Sequence, residues 1–179
     1  MAAYNPAVIQ GYLAIVDNPP TNAAKGKAFE DLACYLLSGI PGIKITARNE
    51  MNTFATEEID VACKSENDPA GLGGLVDFFL VECKGWRDAV NSEQVSWFLT
   101  KIRHRGVRFG ILIAANGITG EPEHLSRANF LVGVEMATFG IKMVIVTREE
   151  IEKLTSGEGF AKLIIQKVCT LHASGGRCY

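Results

Sequence analysis

The stretch at residues 76–84, VDFFLVECK, constrains the fold of this chain more than any other. Its apolar residues predict a buried β-strand, and the strand ends with two charged side chains, Glu82 and Lys84. Because side chains alternate between the faces of a strand, these two share one face, and Val81 and Cys83 share the other. A carboxylate and an ammonium beside an apolar strand are costly to bury unless they are paired or used. The strand therefore predicts a functional site at one rim of a β-sheet.

The rest of the chain predicts a mixed α/β fold built around that strand. Two strands precede it, at 43–48 and 57–64, and the turn-rich segment 65–75 makes a long-looped hairpin the simplest connection to it. Strands alternate with helices later in the chain, so the order indicates a mixed β-sheet flanked by helices. Apolar periodicity and caps predict the remaining elements: helices at 7–16, 22–38, 92–104, 122–138, from the capping box Thr147–Glu150 and around 160–171, and strands at 109–115 and 141–146.

Length and composition predict a single cytoplasmic domain. The 179 residues contain no internal repeat, linker or low-complexity segment, and 47% of them are hydrophobic. We expect a core at about 22–147, C-terminal helices at 148–172 and a frayed tail at 173–179. No apolar run is long enough to cross a bilayer, and the N-terminus lacks the basic start and long apolar segment of a signal peptide.

Several common kinds of site are excluded by the sequence. The five cysteines form no CxxC pair, and the three histidines lack the spacing of zinc ligands. Neither a GxxxxGK(S/T) loop nor a GxGxxG loop is present, which argues against a nucleotide-driven enzyme. The formal net charge is −2, so any surface that binds nucleic acid has to be local.

A second carboxylate, Asp60, lies in the apolar part of the strand that precedes the hairpin loop. Opposed residues of an antiparallel pair have a constant sum of residue numbers. Placing Asp60 opposite Glu82 centres the turn on Gly71, in the middle of the Gly-rich loop. This is consistent with a shared site, although a loop of this length does not by itself fix the register.

These side chains suit the hydrolysis of a phosphodiester. A magnesium ion held by carboxylates screens the phosphate and activates a water, because it lowers the pKa of bound water. Mg²⁺ prefers oxygen ligands and keeps several waters, so Asp60, Glu82 and the Cys83 carbonyl suffice as protein ligands. Lys84 points the same way as Glu82, where it is suited to orient the attacking water or to stabilise charge on the phosphate. Glu30, on the first long helix, is a candidate outer or water-mediated ligand.

The same side chains also have explanations that involve no catalysis. A salt bridge at a sheet edge also explains Glu82 and Lys84, but it leaves Asp60 unexplained. Glu30 and Gln94 fit solvated helix positions as well as site positions.

The combination resembles the PD-(D/E)xK nuclease superfamily, which has the restriction-endonuclease-like fold, and within it the Mrr-type restriction endonuclease domains. The matching motifs are Gly26-Lys27-Ala28-Phe29-Glu30, Ile59-Asp60 and Glu82-Cys83-Lys84, followed by an apolar strand and Asn116-Gly117-Ile118-Thr119. The resemblance covers about residues 22–120 and implies that Asp60, Glu82 and Lys84 are catalytic, with Gln94 as an auxiliary residue. The chain departs from the superfamily pattern at Ile59, because the proline that gives PD-(D/E)xK its first letter would stand at this position. No DNA-recognition domain is recognisable, which leaves the target open.

Basic and aromatic residues after the site are candidate contacts to nucleic acid. Trp86 follows the site directly and is placed to touch substrate. Helix-end charges are also typical of a solvated surface, and Trp86 and Trp97 also fit packing positions. The candidate phosphate contacts are Arg87, near the site, and the cluster of Lys101, Arg103, Arg105 and Arg108.

The sequence thus predicts a magnesium-dependent endonuclease that hydrolyses DNA, of restriction or defence type, in which Mn²⁺ replaces Mg²⁺. Three alternatives stay open: a nuclease similar to Holliday-junction resolvases, an RNA-cleaving nuclease, and a catalytically silent nucleic-acid-binding module of the same fold. DNA is the expected partner and no membrane is expected. A homodimer is expected if the domain cuts both strands.

Overall fold

A computed structural model describes residues 3–84, 90–115 and 122–178, except for the side chains of 122–126. Within this part of the chain, five strands form one sheet in sequence order: β1 (Ile43–Met51), β2 (Glu58–Ser65), β3 (Phe78–Lys84), β4 (Phe109–Ala114) and β5 (Lys142–Thr147). The first three strands pair antiparallel, whereas β3, β4 and β5 pair parallel. The predicted mixed sheet is confirmed. The strand that carries Glu82 and Lys84 is the middle one, so a salt bridge at a sheet edge does not describe this pair.

Helices cover both faces of the sheet, and polar caps explain where most of them begin. Asn5, Thr21, Asn91, Thr147 and Ser156 each accept a hydrogen bond from a backbone N–H of the first turn that follows. Among the described residues, no helix is both long and apolar enough to span a membrane. The helices are α1 (Pro6–Asp17), α2 (Asn22–Gly39), α3 (Ser92–His104), α4 (Pro122–Phe139), α5 (Arg148–Glu152) and α6 (Gly157–Ser174).

Two apolar layers hold the helices on the sheet in a single domain. On one face, α1, α2 and α6 pack on side chains that include Val61 and Val81. On the other, α3 and α4 pack on side chains that include Leu80 and Leu112. β4 is buried along its whole length, as expected for a strand that is covered on both faces. The predicted apolar stripe of α2 is confirmed, because Phe29, Leu32, Ala33 and Leu36 are all buried.

The close approach of α3 to the sheet positions one side of the site. Its predicted stripe is confirmed: Val95, Phe98, Leu99 and Ile102 are buried. Phe98 and Ile102 lie over Gly110 of β4, where a Cβ atom would overlap Ile102 and press on Phe98. The absence of a side chain at this glycine therefore lets the helix pack close to the strand next to β3.

The C-terminal tail, predicted to fray, packs on the fold through residue 178 in the structure. Cys178 is fully buried, its carbonyl accepts a hydrogen bond from the Ile145 N–H at 2.6 Å, and its N–H donates to Asn129 Oδ1 at 3.3 Å. Gly175 ends α6 in the left-handed conformation, with φ 71°, which turns the chain back onto β5 and α4. The tail thus adds buried surface beside the edge strand of the sheet.

Candidate active site

The observed register of β2 and β3 brings Asp60 and Glu82 together. The paired residues, from Lys64 with Phe78 to Val61 with Val81, have numbers that add to 142, the sum that places Asp60 opposite Glu82. The side chain of Asp60 reaches past this position, and its Oδ2 accepts a hydrogen bond from the Cys83 N–H at 2.6 Å. Two neighbouring strands therefore present two carboxylates at the same rim of the sheet.

Glu82 is buried between two ammonium groups. Only 2% of its side chain is exposed, and its Oε1 lies 2.8 Å from Lys84 Nζ. Lys101 Nζ, from α3, donates to both carboxylate oxygens, at 2.8 and 2.9 Å. The predicted sharing of one face by Glu82 and Lys84 is confirmed, and α3 supplies a third charged group on that face.

Asp60 lies in an environment that opposes its charge. Burial, followed by the negative charge of Glu82, raises the pKa of Asp60 to about 7. The hydrogen bond from the Cys83 N–H and the charge of Lys84 act in the opposite direction, and the charge of Glu30 adds a smaller increase. Unrelieved repulsion between neighbouring carboxylates is typical of sites that bind a cation or share a proton.

Lys84 stays positively charged in this setting. Burial disfavours its ammonium form, but the adjacent carboxylates of Glu82 and Asp60 outweigh that effect and raise its pKa above the ordinary value. A lysine held in this form is suited to stabilise negative charge on a phosphate, since it has no lone pair with which to take a proton.

Glu30 and Gln94 have different relations to these residues. Glu30 lies on α2, close enough for its charge to act on Asp60 and on Cys83. Gln94 belongs to a capping box, in which its Oε1 accepts from the Asn91 N–H at 3.0 Å and its own N–H donates to Asn91 Oδ1 at 2.9 Å. The structure thus gives Gln94 a local role in starting α3.

The structure places two of the predicted phosphate contacts, Lys101 and Arg105, in ion pairs. Lys101 is buried on Glu82 and does not lie on the outer surface of the helix. Arg105 is partly buried and donates to the side chain and the carbonyl of Glu57, at 3.1 and 2.7 Å. Trp97, expected also to suit packing, is 50% exposed. Trp86 and Arg87, together with the predicted 116–119 turn, lie outside the described residues.

The residues of this rim fit a magnesium ion with few protein ligands. In the described part of the chain, no three His, Cys, Asp or Glu side chains form a ready-made metal cluster. Magnesium needs only one or two carboxylates, because it keeps several of its waters. Asp60 meets this need, since burial and the charge of Glu82 raise its pKa and a cation would relieve the repulsion between the two carboxylates.

The family model for the catalytic domain of Mrr-type restriction endonucleases matches residues 21–155. The chain belongs to this family. No curated protein matches it. The matched range contains α2, the whole sheet and α3, and therefore every residue of the rim described above. The Mrr-type domain extends further than the sequence motifs indicate, because they end near residue 120 whereas the match includes β5 and α5.

Sequence reasoning missed the pairing of two buried charges in this Mrr-type domain, Lys101 and Glu57. It predicted that Lys101 contacts phosphate or lies on a solvated helix end, although Lys101 lies three residues after the buried Phe98 and next to the buried Ile102, a position on the border of the apolar stripe. It also missed Glu57, which is 5% exposed and is paired with Arg105 and with His104 Nδ1 at 2.7 Å. No signal in the sequence distinguishes Glu57 from a solvated residue of a hairpin.

Proposed function

We propose that this domain is a magnesium-dependent endodeoxyribonuclease of restriction or defence type, acting in the cytoplasm. Membership of the Mrr-type family makes it a restriction-type nuclease domain. One observation supports the finer proposal. Asp60, Glu82 and Lys84 lie together at the end of the central strand, where they provide two carboxylates and an ammonium group whose charged form is favoured.

Each of these groups has a chemical task in phosphodiester hydrolysis. Asp60 and Glu82, with the Cys83 carbonyl, would hold Mg²⁺ or Mn²⁺, which screens the phosphate and makes a bound water more acidic. Lys84 would bind a phosphate oxygen and stabilise the charge that develops there, because its ammonium form is favoured. Glu30 would act through water from α2. Trp86 and Arg87, which follow β3 directly in the sequence, remain the proposed contacts to DNA.

Plasmid cleavage tests this proposal. Wild-type protein is expected to nick or linearise supercoiled plasmid with Mg²⁺ and to leave it intact in EDTA. Lys84→Ala and Asp60→Asn should each lower the cleavage rate by at least about a hundredfold with the fold retained. Lys44→Ala is the matched control, because Lys44 pairs with Glu66 at 2.6 Å on an exposed part of the sheet. Equal cleavage in EDTA, or by Lys84→Ala, would rule out the assignment.

Comparing cleavage rates on different nucleic acids distinguishes DNA restriction from the alternative nuclease activities. Linear duplex, single-stranded DNA, a four-way junction and RNA are offered to the same preparation, and duplex DNA is expected to be cut fastest. If the junction or RNA is cut fastest, the domain is instead a junction-cleaving or an RNA-cleaving nuclease. Binding without cleavage with either metal would indicate a silent module. Linear product formed without a nicked intermediate would support a homodimer, because one site cuts one strand.

A further inference from the structure

The Lys101 ammonium is a buried charge that the proposed reaction does not use. The residue is 6% exposed and its Nζ donates to both oxygens of Glu82 at 2.8 and 2.9 Å. Lys84 already meets the same carboxylate at 2.8 Å. Removing an ammonium from water is costly, and one partner suffices to pair one carboxylate. The second lysine therefore requires its own explanation.

The geometry of Glu82 limits how many cations the rim can take. A carboxylate has about four lone-pair positions, and a site with two metal ions uses its carboxylates to face both ions. Here Lys101 occupies one position on each oxygen, and Lys84 occupies another on Oε1. Both ammonium groups meet Glu82, whereas Asp60 accepts its hydrogen bond from the Cys83 N–H. These contacts leave Glu82 able to serve one divalent ion.

We propose that Lys101 is a resident cation of the site, which holds Glu82 in place and stands where a second divalent ion would otherwise bind. Each chain then takes one divalent ion. This inference rests on the proposed function, because it assumes that Asp60 and Glu82 hold a metal. Lys101 is a positioning residue in this scheme, since it acts through Glu82.

Counting bound Mn²⁺ on the wild-type protein tests the inference without any variant. The probe is Mn²⁺ alone, without DNA, and the signal is the electron paramagnetic resonance of the free ion during a titration. One tightly bound ion per chain is expected. Two ions of similar affinity in the wild type would overturn the inference.

Lys101→Met gives the second measurement, because methionine keeps the buried chain without its charge. The variant should bind Mn²⁺ at least about tenfold more tightly, since a positive charge next to the ligands is gone. Mn²⁺ should also raise its Tm more than that of the wild type. Lys101→Arg restores a cation and should bind Mn²⁺ as the wild type does. If Lys101→Met does not fold, the inference is tested by the number of Mn²⁺ ions bound per wild-type chain and by the Mn²⁺ affinity of Lys101→Arg.

Lys167→Met is the matched control, because Lys167 is 7% exposed and pairs with Glu150 at 2.7 Å away from the site. It should lose stability without any change in Mn²⁺ affinity. The same behaviour in Lys101→Met would make Lys101 a structural ion-pair partner and overturn the inference, even if the wild type cleaves DNA. A wild type that neither binds Mn²⁺ nor cleaves DNA would instead overturn the proposed function, and this inference with it.

Discussion

Asp60 and Glu82 are neighbouring carboxylates with different counter-charges. Glu82 is met by two ammonium groups, each 2.8 Å from its Oε1, whereas the direct partner of Asp60 is the Cys83 N–H at 2.6 Å. Burial and the charge of Glu82 consequently raise the pKa of Asp60 to about 7. Asp60 is therefore the carboxylate whose charge is less well balanced by its protein neighbours, and a bound cation would relieve it most.

This imbalance predicts a pH dependence of stability in EDTA. The pKa of Asp60 is about 7 in the folded protein and 3.8 for an ordinary aspartate, so the folded state keeps a proton that the unfolded state loses. As pH rises through this window, the free energy of unfolding should fall by as much as about 4 kcal/mol, since each pKa unit corresponds to about 1.4 kcal/mol. Asp60→Asn has no charge to lose. It should be more stable than the wild type at pH 8 and lose that advantage near pH 4, as measured by urea unfolding.

Asp31→Asn is the control with the opposite sign. A hydrogen bond from Arg48 at 2.6 Å holds the pKa of Asp31 below its ordinary value. Its contribution to stability is present above the ordinary pKa and is lost as pH falls through the lowered value. Asp31→Asn should therefore be less stable than the wild type at pH 7, with the difference shrinking in acid. An unchanged pH slope in Asp60→Asn would show that Asp60 titrates as an ordinary aspartate.

Helix α3 is the element that organises one side of the active site. Its capping box begins the helix, Lys101 meets Glu82 near its end, and Arg105, which caps its C-terminus, pairs with Glu57. The helix thus links β3 to the start of β2 through charged side chains, while its apolar stripe packs on β4. A shift of this helix would move Lys101 away from Glu82.

The capping box gives a prediction for Gln94, which the family resemblance implies to be an auxiliary catalytic residue. Gln94→Ala and Asn91→Ala each remove one half of the box and should each cost about 1 kcal/mol in urea unfolding. We expect equal and small effects of the two substitutions on plasmid cleavage, because the Gln94 Oε1 is engaged by the Asn91 N–H. Gln94→Glu keeps the box and should keep stability. A far larger loss of cleavage in Gln94→Ala than in Asn91→Ala would assign Gln94 the catalytic role.

Sequence reasoning succeeded for elements whose signal is local. The shared face of Glu82 and Lys84 and the periodicity of α2 and α3 follow from spacing along the chain, and the structure reproduces them. The structure also has the register that places Asp60 opposite Glu82, which the sequence allowed but did not fix. Sequence reasoning failed for side chains whose partner lies on another element. Lys101 and Arg105 belong to a basic cluster in the sequence, but acidic residues on β3 and just before β2 turn them inward. Such pairing depends on the packing angle of α3, which no local pattern encodes.

At the scale of the whole molecule, the described core is mostly apolar, and the site is one of the places where charged side chains are buried. The net charge is −2, and two lysines are buried on carboxylates, Lys101 on Glu82 and Lys167 on Glu150. Cations held in this way cannot attract a polyanion over long distances. Binding to DNA should therefore depend on a few local contacts and not on a broad basic face.

The C-terminal tail packs on β5 and α4 and gives the last prediction. Cys178 is fully buried against β5 and α4, and burial raises its pKa to about 12, so its thiol should react only after unfolding. Cys169, on the exposed side of α6, is the internal control. In native buffer, a maleimide should label Cys169 within minutes and leave Cys178 unmodified, as read by peptide mass spectrometry. In urea both should react, which shows that the reagent can reach each thiol. Equal native labelling would mean that the tail detaches in solution, as its Gly-rich sequence alone suggests, and that β5 has a free edge.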